Sequence, residues 1–231
     1  MTSPDFQLTV EVLRVFCDEH AEHGNALGVV LDGDLIPSPE ARQELAAELG
    51  FSETVFVDGS DGHVRIYTPA EELPLAGHPL VGTAWLLAQV GRGVDTLHPP
   101  AGPVDCEAEH DGAQITADPA SSPRWDLTQR ATTDEVDGLD PAAFGPVAHD
   151  YVWAWIDEAA GTVRARSFAM GKGIVEDEAT GSAALVLCGD LGRPIEIHQG
   201  RGSVIQAAPT GDGRVRIRGR VVRDEALRVD A

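Results

Sequence analysis

The chain contains two copies of one sequence pattern at a constant offset of 99 residues. In each copy, a strand-like segment ends in aspartate, a Gly-x-Val-Arg segment follows, and a Gly-[Thr/Ser]-Ala turn leads into an apolar stretch. The pairs that match without a gap are Asp58/Asp157, Gly62/Gly161, Val64/Val163, Arg65/Arg164, Gly82/Gly181, Ala84/Ala183, Leu86/Leu185 and Gly93/Gly192. This repeat predicts two copies of one supersecondary unit. It places His78 and Asp177 at equivalent positions that face a shared cleft.

Hydrophobic periodicity predicts the elements of each copy. The apolar stretches 79–90 and 179–191 are hydrophobic nearly all round, which is typical of buried helices. Alternation predicts strands over 8–16, 27–31, 54–57, 63–68, 152–156, 163–168 and 214–220, with a helix over 39–49 and another near Thr133. We therefore expect an α+β protein with an N-terminal half at 1–103 and a C-terminal half at 104–231. The sequence leaves open whether the last strand pairs with its own half or crosses back to the first half.

Charge and composition exclude several classes of protein. The 231 residues carry a net charge of −21, which argues against nucleic acid and anionic membranes as partners. The first five residues contain no basic start and no apolar run, so no signal peptide is expected, and no segment approaches the length of a membrane span. Three scattered cysteines do not form a disulfide framework, which favours a cytoplasmic location.

The starts of the two buried helices are candidate binding sites. The N-terminus of a helix presents free N–H groups and partial positive charge, which favour carboxylates and phosphates. Gly82 with Thr83 and Gly181 with Ser182 form the two turns, and the hydroxyl groups add donors. These features predict a small anionic metabolite, most simply a carboxylate, as the ligand.

Three side chains are candidates for acid–base chemistry. Glu53 is a charged residue in an otherwise apolar strand, and its counterpart in the second copy is Val152, so the fold does not require the carboxylate. Burial would raise its pKa toward neutrality, which suits a group that takes a proton from carbon and returns it. His78 and Asp177 precede the buried helices. The plain alternatives are a solvated carboxylate at Glu53 and simple helix-capping roles for the other two.

A second cluster admits another interpretation. Cys17, His20 and His23 follow one another at intervals of three residues within one polar loop. A metal site there would lack a fourth ligand at a recognisable spacing, so we expect no metal.

Four ordered segments resemble the phenazine-biosynthesis PhzF-type isomerases, which are related in fold to diaminopimelate epimerase. They are Gly24-Asn25, Ser52-Glu53-Thr54-Val55-Phe56, the segment from Leu73 to Ala84 that contains Ala76-Gly77-His78-Pro79, and Glu176-Asp177-Glu178-Ala179-Thr180-Gly181-Ser182-Ala183-Ala184. The resemblance covers about three quarters of the chain. Related two-base racemases have a cysteine at each of the two turn positions, where this chain has His78 and Asp177, so a two-thiol racemase is disfavoured.

The resemblance implies two pseudo-symmetric halves, each a curved antiparallel sheet around a central helix, with the active site between them. It also implies no cofactor and frequent homodimers. By motif match, Glu53 is the proton-shuttling carboxylate, His78, Asp177 and Ser182 support it, and Gly77 supplies a backbone contact. Asn25 falls on the Gly-Asn turn and is a candidate for substrate binding.

The chain also departs from the family pattern. Glu178 and Ala26 stand where the family usually has proline, and the segment 199–203 resembles a shortened form of a longer glycine- and arginine-rich stretch. We expect these changes to affect the rim of the pocket and the identity of the substrate.

The sequence as a whole predicts a cofactor-independent isomerase or epimerase that moves a proton on a small carboxylate-bearing metabolite, with Glu53 as the general acid/base. The alternative is a non-catalytic protein that binds a small anion on the same fold.

Overall fold

The computed structural model of the protein describes residues 7–147 and 149–230. Within these ranges the chain forms sixteen strands and four α-helices, which confirms the predicted α+β class. The helices are α1 Pro39–Leu49, α2 Gly77–Gln89, α3 Thr133–Asp137 and α4 Gly181–Leu191. Among the described residues, no helix is long and apolar enough to cross a bilayer.

The strands run in the following order along the chain. The first eight are β1 Gln7–Cys17, β2 Asn25–Val30, β3 Glu53–Asp58, β4 His63–Tyr67, β5 Glu72–Leu73, β6 Thr96–Leu97, β7 Val104–Ala108 and β8 Gly112–Ala117. The second eight are β9 Asp126–Gln129, β10 Asp150–Asp157, β11 Thr162–Ala169, β12 Ile174–Asp177, β13 Ile195–Gln199, β14 Ser203–Pro209, β15 Val215–Arg223 and β16 Leu227–Asp230.

The two sequence copies build the same arrangement of strands. The antiparallel hairpins β3–β4 and β10–β11 correspond, and each has a parallel neighbour on its first strand, β2 beside β3 and β9 beside β10. The second strands, β4 and β11, also correspond, because the residue before each accepts an equivalent hydrogen bond. The carbonyl of Gly62, before β4, accepts from the N–H of His98 at 2.8 Å, and the carbonyl of Gly161, before β11, accepts from the N–H of Glu196 at 3.0 Å. The repeat is therefore present in the backbone pairing as two pseudo-symmetric halves.

The last strands join the halves. β15 pairs with β14 and β8, and its end pairs with β1, as does β16. The C-terminal strand thus crosses back to the first half. The exact division of the chain at residue 103 stays a prediction.

The helices α2 and α4 are buried as their all-round apolar character predicts, and they meet at their N-termini. A Cβ atom on Gly77 would lie 2.7 Å from the Cα atom of Gly181, and a Cβ on Gly181 would lie 2.8 Å from the Cα of Gly77. Only glycine permits this approach of the two backbones. The contact fixes the segments that lead into both helices next to one another.

The helix starts correct one sequence inference. α2 begins at Gly77 rather than Pro79, and α4 begins at Gly181 rather than Ala179. A short strand precedes each helix, β5 before α2 and β12 before α4, but β11 is longer than β4 and is followed by a short 3₁₀ turn. The 99-residue offset of the second hairpin strands therefore does not extend to the helices. By position in the helix, the counterpart of His78 is therefore Ser182. Asp177 ends β12 and reaches the site from outside the helix.

Candidate active site

A small buried cavity lies where segments from both halves meet. Its volume is about 40 Å³, close to that of one water molecule. Its polar lining includes Glu53 from the first half and Asp177, Thr180 and Ser182 from the second. The remaining wall consists of Thr68, Leu73, Leu75, Ala76, Pro123, Trp125, His149, Ala169 and Ile174.

Glu53 begins β3, beside Leu27 of the parallel strand β2, and its side chain is only 8% exposed. Its Oε2 atom lies 3.4 Å from Nε2 of His78 and forms no hydrogen bond within the described chain. Burial, and next the charge of Asp177, raise the pKa of Glu53 well above its ordinary value. The carboxyl group is therefore a high-affinity proton acceptor in a nearly dry space.

His78 is the second residue of α2 and is 2% exposed. Burial lowers its pKa to about 3, although a hydrogen bond with the backbone of Ala26 acts in the opposite direction. The imidazole is therefore neutral at physiological pH. Its Nε2 atom, which forms no hydrogen bond among the described residues, faces Glu53.

Asp177 is held by donors from both halves. Nδ2 of Asn25 donates to Oδ1 at 2.6 Å, and Oγ1 of Thr180 donates to Oδ2 at 2.6 Å. Burial raises the pKa of Asp177 to about 6, because the hydrogen bonds from Thr180 and Asn25 oppose the effect only in part. The site thus contains two buried carboxyl groups, both with raised pKa values, and one neutral imidazole.

Asn25 is part of the site but does not line the cavity. Besides Asp177, its Nδ2 atom donates to the carbonyl of Ala179 at 3.0 Å and lies 3.5 Å from Nδ1 of His78. Its Oδ1 atom accepts a hydrogen bond from Ser52 at 2.9 Å. The predicted substrate-binding residue is instead a bridge between the two halves.

A buried network that sequence reasoning missed supports Asp177 from behind. Gln199 donates to the carbonyl of Asp177 at 2.9 Å and to Oγ1 of Thr180 at 2.8 Å. Its Oε1 atom accepts from the N–H of Thr180 at 3.1 Å and from the hydroxyl of Tyr151 at 3.0 Å. Gln199 is the first residue of the glycine- and arginine-rich segment 199–203, which is the signal in the sequence that points to it.

A second missed feature covers Ser182. Nε1 of Trp125 donates to Oγ of Ser182 at 3.1 Å, and the Trp125 ring stacks on His149 at a centroid distance of 3.7 Å. Trp125 lies between the two repeats, in the segment 98–150 that is rich in proline, glycine and aspartate, where the only element that the sequence located was the helix near Thr133. The indole closes the cavity over the start of α4.

Four predicted binding residues do not reach the cavity. Gly77 and Gly181 contact each other rather than line the open space. Gly82 faces Leu27 and Val15 in the core, because it lies inside α2, five residues after the helix begins at Gly77. Thr83 follows it and is fully buried in the same helix. Gly82 and Thr83 are therefore corrected from binding residues to packing positions.

The metal alternative is not supported by the arrangement of its residues. The Cys17 thiol donates weakly to the carbonyls of Arg14 and His23, both at 3.4 Å, and burial raises its pKa to about 11. His20 is exposed and lies beside Glu19. The Cys17, His20 and His23 side chains are therefore not brought together as one ligand set.

Comparison with known proteins identifies the family of the chain. The family model described as "Phenazine biosynthesis-like protein" (PhzC-PhzF) matches residues 13–135. The trans-2,3-dihydro-3-hydroxyanthranilate isomerase of Pseudomonas fluorescens is 31% identical over 227 residues, covering 77% of this chain and 80% of that protein. The isomerase of the same name from Pseudomonas aeruginosa is 31% identical over 230 residues, covering 82% of both.

Solved structures of the same family share the fold of this chain. The crystal structure of a PhzF-family phenazine biosynthesis protein from Bacillus anthracis superposes with a TM-score of 0.77 at 20% identity, covering 98% of this chain and 100% of that one. Fold and similarity together define an isomerase of the PhzF type. The chain belongs to the phenazine biosynthesis-like (PhzC-PhzF) family.

Proposed function

We propose that the protein moves a proton within a small carboxylate-bearing metabolite, without a cofactor, and that Glu53 is the general acid/base. The observation that carries the proposal is the unpaired Oε2 atom of Glu53 in a cavity of about 40 Å³ between the halves. A carboxylate that is poorly solvated holds a proton tightly and is a strong base once it is ionised. That property suits removal of a weakly acidic proton from carbon.

The reaction follows from these positions. Ionised Glu53 takes a proton from a carbon that a neighbouring carboxylate or double bond makes acidic. The resulting carboxylic acid returns the proton to another carbon, which is isomerisation. Epimerisation requires in addition that a second group protonates the same carbon from the opposite face, and Asp177 is the other buried carboxyl group of the site. Neutral His78, with Nε2 3.4 Å from Glu53, orients the carboxyl group during both steps.

Asp177 and Ser182 are proposed to hold the substrate on the opposite wall. Asp177 offers an acceptor that Asn25 and Thr180 keep in place, so it suits an amino or hydroxyl group. The Ser182 hydroxyl, at the start of α4, suits the substrate carboxylate. The trans-2,3-dihydro-3-hydroxyanthranilate isomerases that resemble this chain are named for a small cyclic amino acid, so the first substrates to test are cyclic or amino-acid-derived acids.

The cavity must enlarge before a substrate of this size enters. Its present volume accommodates little more than water, so the wall formed by Trp125 and its stacked partner His149 has to move. We keep a homodimer and a cytoplasmic location as predictions from the family resemblance and the cysteine content.

The direct test is solvent-deuterium incorporation. Candidate acids are incubated with the protein in heavy water, and mass spectrometry measures the deuterium gained. We expect incorporation with the natural protein and a loss of at least about 100-fold in Glu53→Gln. Glu72→Gln is the matched control, because Glu72 is paired with Arg65 outside the cavity. Undiminished exchange in Glu53→Gln would overturn the assigned role.

A retained ligand would distinguish the alternative. Native mass spectrometry of the purified protein identifies any bound metabolite, which is then offered as a substrate. Tight binding without exchange or turnover would favour the non-catalytic anion-binding protein.

A further inference from the structure

Glu178 directs its carboxylate away from the cavity and onto the turn between β13 and β14. Its Oε1 atom accepts hydrogen bonds from the N–H of Arg201 and from the hydroxyl of Ser203, both at 3.0 Å. Nε of Arg201 lies 3.3 Å from Oε2. The Glu178 side chain is only 16% exposed, so these contacts form at the edge of the interior. The residue directly after Asp177 is therefore tied to a turn that is distant in sequence.

These contacts continue into a closed ring. The Ser203 hydroxyl, which donates to Glu178, also accepts the N–H of Gly24 at 3.1 Å. Gly24 precedes Asn25, and Asn25 donates to Oδ1 of Asp177 at 2.6 Å. Covalent bonds and hydrogen bonds thus form one closed loop of contacts, which we call the Asp177 ring. It consists of Asp177, Glu178, Ser203, Gly24 and Asn25. The ring passes through both halves of the fold.

The turn is shaped to receive Glu178. Gly200 has a φ of +59°, and a Cβ atom on it would lie 2.6 Å from the carboxyl carbon of Glu178. A side chain at residue 200 would therefore collide with the carboxylate. The short 199–203 segment and Glu178 fit one another as a pair.

Glu178 is also a departure from the family pattern, since the resemblance places proline at this position. Proline has no carboxylate to accept from Arg201 or Ser203, and it has no N–H. The backbone N–H of Glu178 hydrogen-bonds to Asp177. The natural chain thus gains two kinds of contact around Asp177 that proline does not provide.

We propose that Glu178 is a positioning residue that fixes the Asp177 carboxylate against Asn25 through the Asp177 ring. The proposal rests on the function proposed for Asp177 in the site above. Because a misplaced catalytic group lowers the rate far more than it weakens the fold, breaking the ring affects turnover first.

The charge of Glu178 has a separate consequence. Its carboxylate raises the pKa of Asp177, whereas its backbone N–H lowers it. The other titratable groups around Asp177 are Glu53 from β3, His78 from α2, Tyr151 from β10 and His149 in the cavity wall. Removal of the Glu178 charge alone leaves all of these in place.

The test compares Glu178→Gln with Glu176→Gln in the full chain. Glu176 precedes Asp177 on the same strand, but its carboxylate pairs with Arg166 at 2.7 Å and takes no part in the ring. Carbon-13 NMR of labelled aspartate, assigned with Asp177→Asn, gives the titration of Asp177 in each protein. We expect Glu178→Gln to move that titration to lower pH by roughly half a pH unit, and Glu176→Gln to leave it in place.

Turnover provides the second measurement. We expect kcat to fall about tenfold in Glu178→Gln with a smaller change in KM, and its acid limb to move with the titration of Asp177. Ser203→Ala removes the contacts to Glu178 and Gly24 without a change of charge, so it should lower kcat. Because it loosens Asn25, whose donor lowers the pKa of Asp177, it should move the titration to higher pH, the opposite direction to Glu178→Gln. It also keeps the proposal testable if Glu178→Gln does not fold.

The outcomes separate the two proposals. If Glu178→Gln and Glu176→Gln show the same titration of Asp177 and the same kcat, the proposed role of Glu178 is overturned. An unchanged kcat in Ser203→Ala would overturn it too. A natural protein that exchanges no deuterium with any acid would overturn the proposed function. The NMR titration would still decide whether Glu178 acts on Asp177.

Discussion

Oε2 of Glu53 and Nε2 of His78 lie 3.4 Å apart, and neither atom forms a hydrogen bond with any residue that the structure describes. Burial favours the neutral form of both groups, since it raises the pKa of Glu53 and lowers that of His78 to about 3. The two residues are therefore not an ion pair in the closed site. A buried polar atom without a hydrogen bond lowers the stability of the fold. Such atoms are rare in native proteins, and their presence here is typical of a functional site.

The first prediction concerns stability. The pKa of Glu53 is higher in the folded chain than its ordinary value of 4.5, so above that value the folded state binds more protons than the unfolded state. The free energy of unfolding therefore falls as the pH rises through this range. Glu53→Gln removes the effect, so we expect its Tm to exceed that of the natural protein at about pH 8 by several degrees.

The difference in Tm should shrink toward about pH 4, where Glu53 is protonated in both states. Scanning calorimetry across this range provides the measurement. Glu72→Gln, at the exposed pair with Arg65, should change stability by less than about 1 kcal/mol at every pH. If the difference in Tm between Glu53→Gln and the natural protein does not change with pH, burial does not raise the pKa of Glu53.

The second prediction concerns the pH dependence of the rate. Because the pKa of His78 is about 3, the imidazole does not titrate near neutrality. Activity should instead rise with pH as Asp177, with a pKa of about 6, and Glu53, whose pKa burial raises, lose their protons. His78→Gln should lower kcat but leave the position of the acid limb within about half a pH unit. A limb that disappears in His78→Gln would show that histidine carries the titration.

The third prediction concerns Asn25. Asn25→Ala removes the donor to Asp177 at 2.6 Å, and that donor lowers the pKa of Asp177. The acid limb should therefore move to higher pH, and the free energy of unfolding should fall by about 1–3 kcal/mol. Ser52→Ala is the control, because the Ser52 hydroxyl donates to Oδ1 of Asn25 at 2.9 Å and leaves the Nδ2 donor to Asp177 in place. Equal pH profiles for Asn25→Ala and Ser52→Ala would contradict the bridging role of Asn25.

The candidate site was predictable where an exceptional residue interrupted a regular pattern. Glu53 is a carboxyl group in an apolar strand, and His78 and Asp177 stand before apolar helices. Such positions are rarely occupied by ionisable groups unless the site uses them. The structure brings all three together.

The residues that were missed lack such a local signal. Gln199 and Tyr151 meet across 48 positions of sequence, and Trp125 reaches Ser182 across 57. Contacts of this kind are set by tertiary packing and leave no periodicity. The helix starts were misplaced for a related reason, since the Gly77–Gly181 contact depends on the docking of two helices rather than on either sequence.

That helix contact gives the fourth prediction. Gly77→Ala places a Cβ atom 2.7 Å from the backbone of Gly181, so α2 or α4 must shift. We expect a loss of about 2 kcal/mol or more in the free energy of unfolding, with loss of activity. Gly189→Ala in α4 is the control, because its Cβ would meet side-chain atoms, Pro119 at 3.2 Å and Val215 at 3.9 Å, rather than backbone, and alanine favours the helix. Denaturant unfolding compares them, and equal stabilities would contradict a tight helix contact.

The fifth prediction concerns the hydrogen bond between Trp125 and Ser182 in the wall of the cavity. Trp125 donates to the hydroxyl of Ser182 at 3.1 Å, and the cavity of about 40 Å³ has to open before the substrate can take that hydroxyl. The Ser182 hydroxyl accepts from Trp125, so its own O–H stays available to donate to a substrate carboxylate. Trp125→Phe keeps an aromatic ring beside His149 but removes the N–H that orients this hydroxyl. Since a buried hydrogen bond contributes about 1 kcal/mol, we expect its KM to rise by up to about fivefold.

Ser182→Ala removes the hydroxyl itself, so its KM should rise further than that of Trp125→Phe. Steady-state kinetics on any acid that exchanges deuterium measures both variants. A rise of KM in both, larger in Ser182→Ala, would support a hydroxyl that binds the substrate while the indole N–H orients it. A fall of KM in Trp125→Phe would contradict the orienting role, because the indole would then hinder the substrate at Ser182.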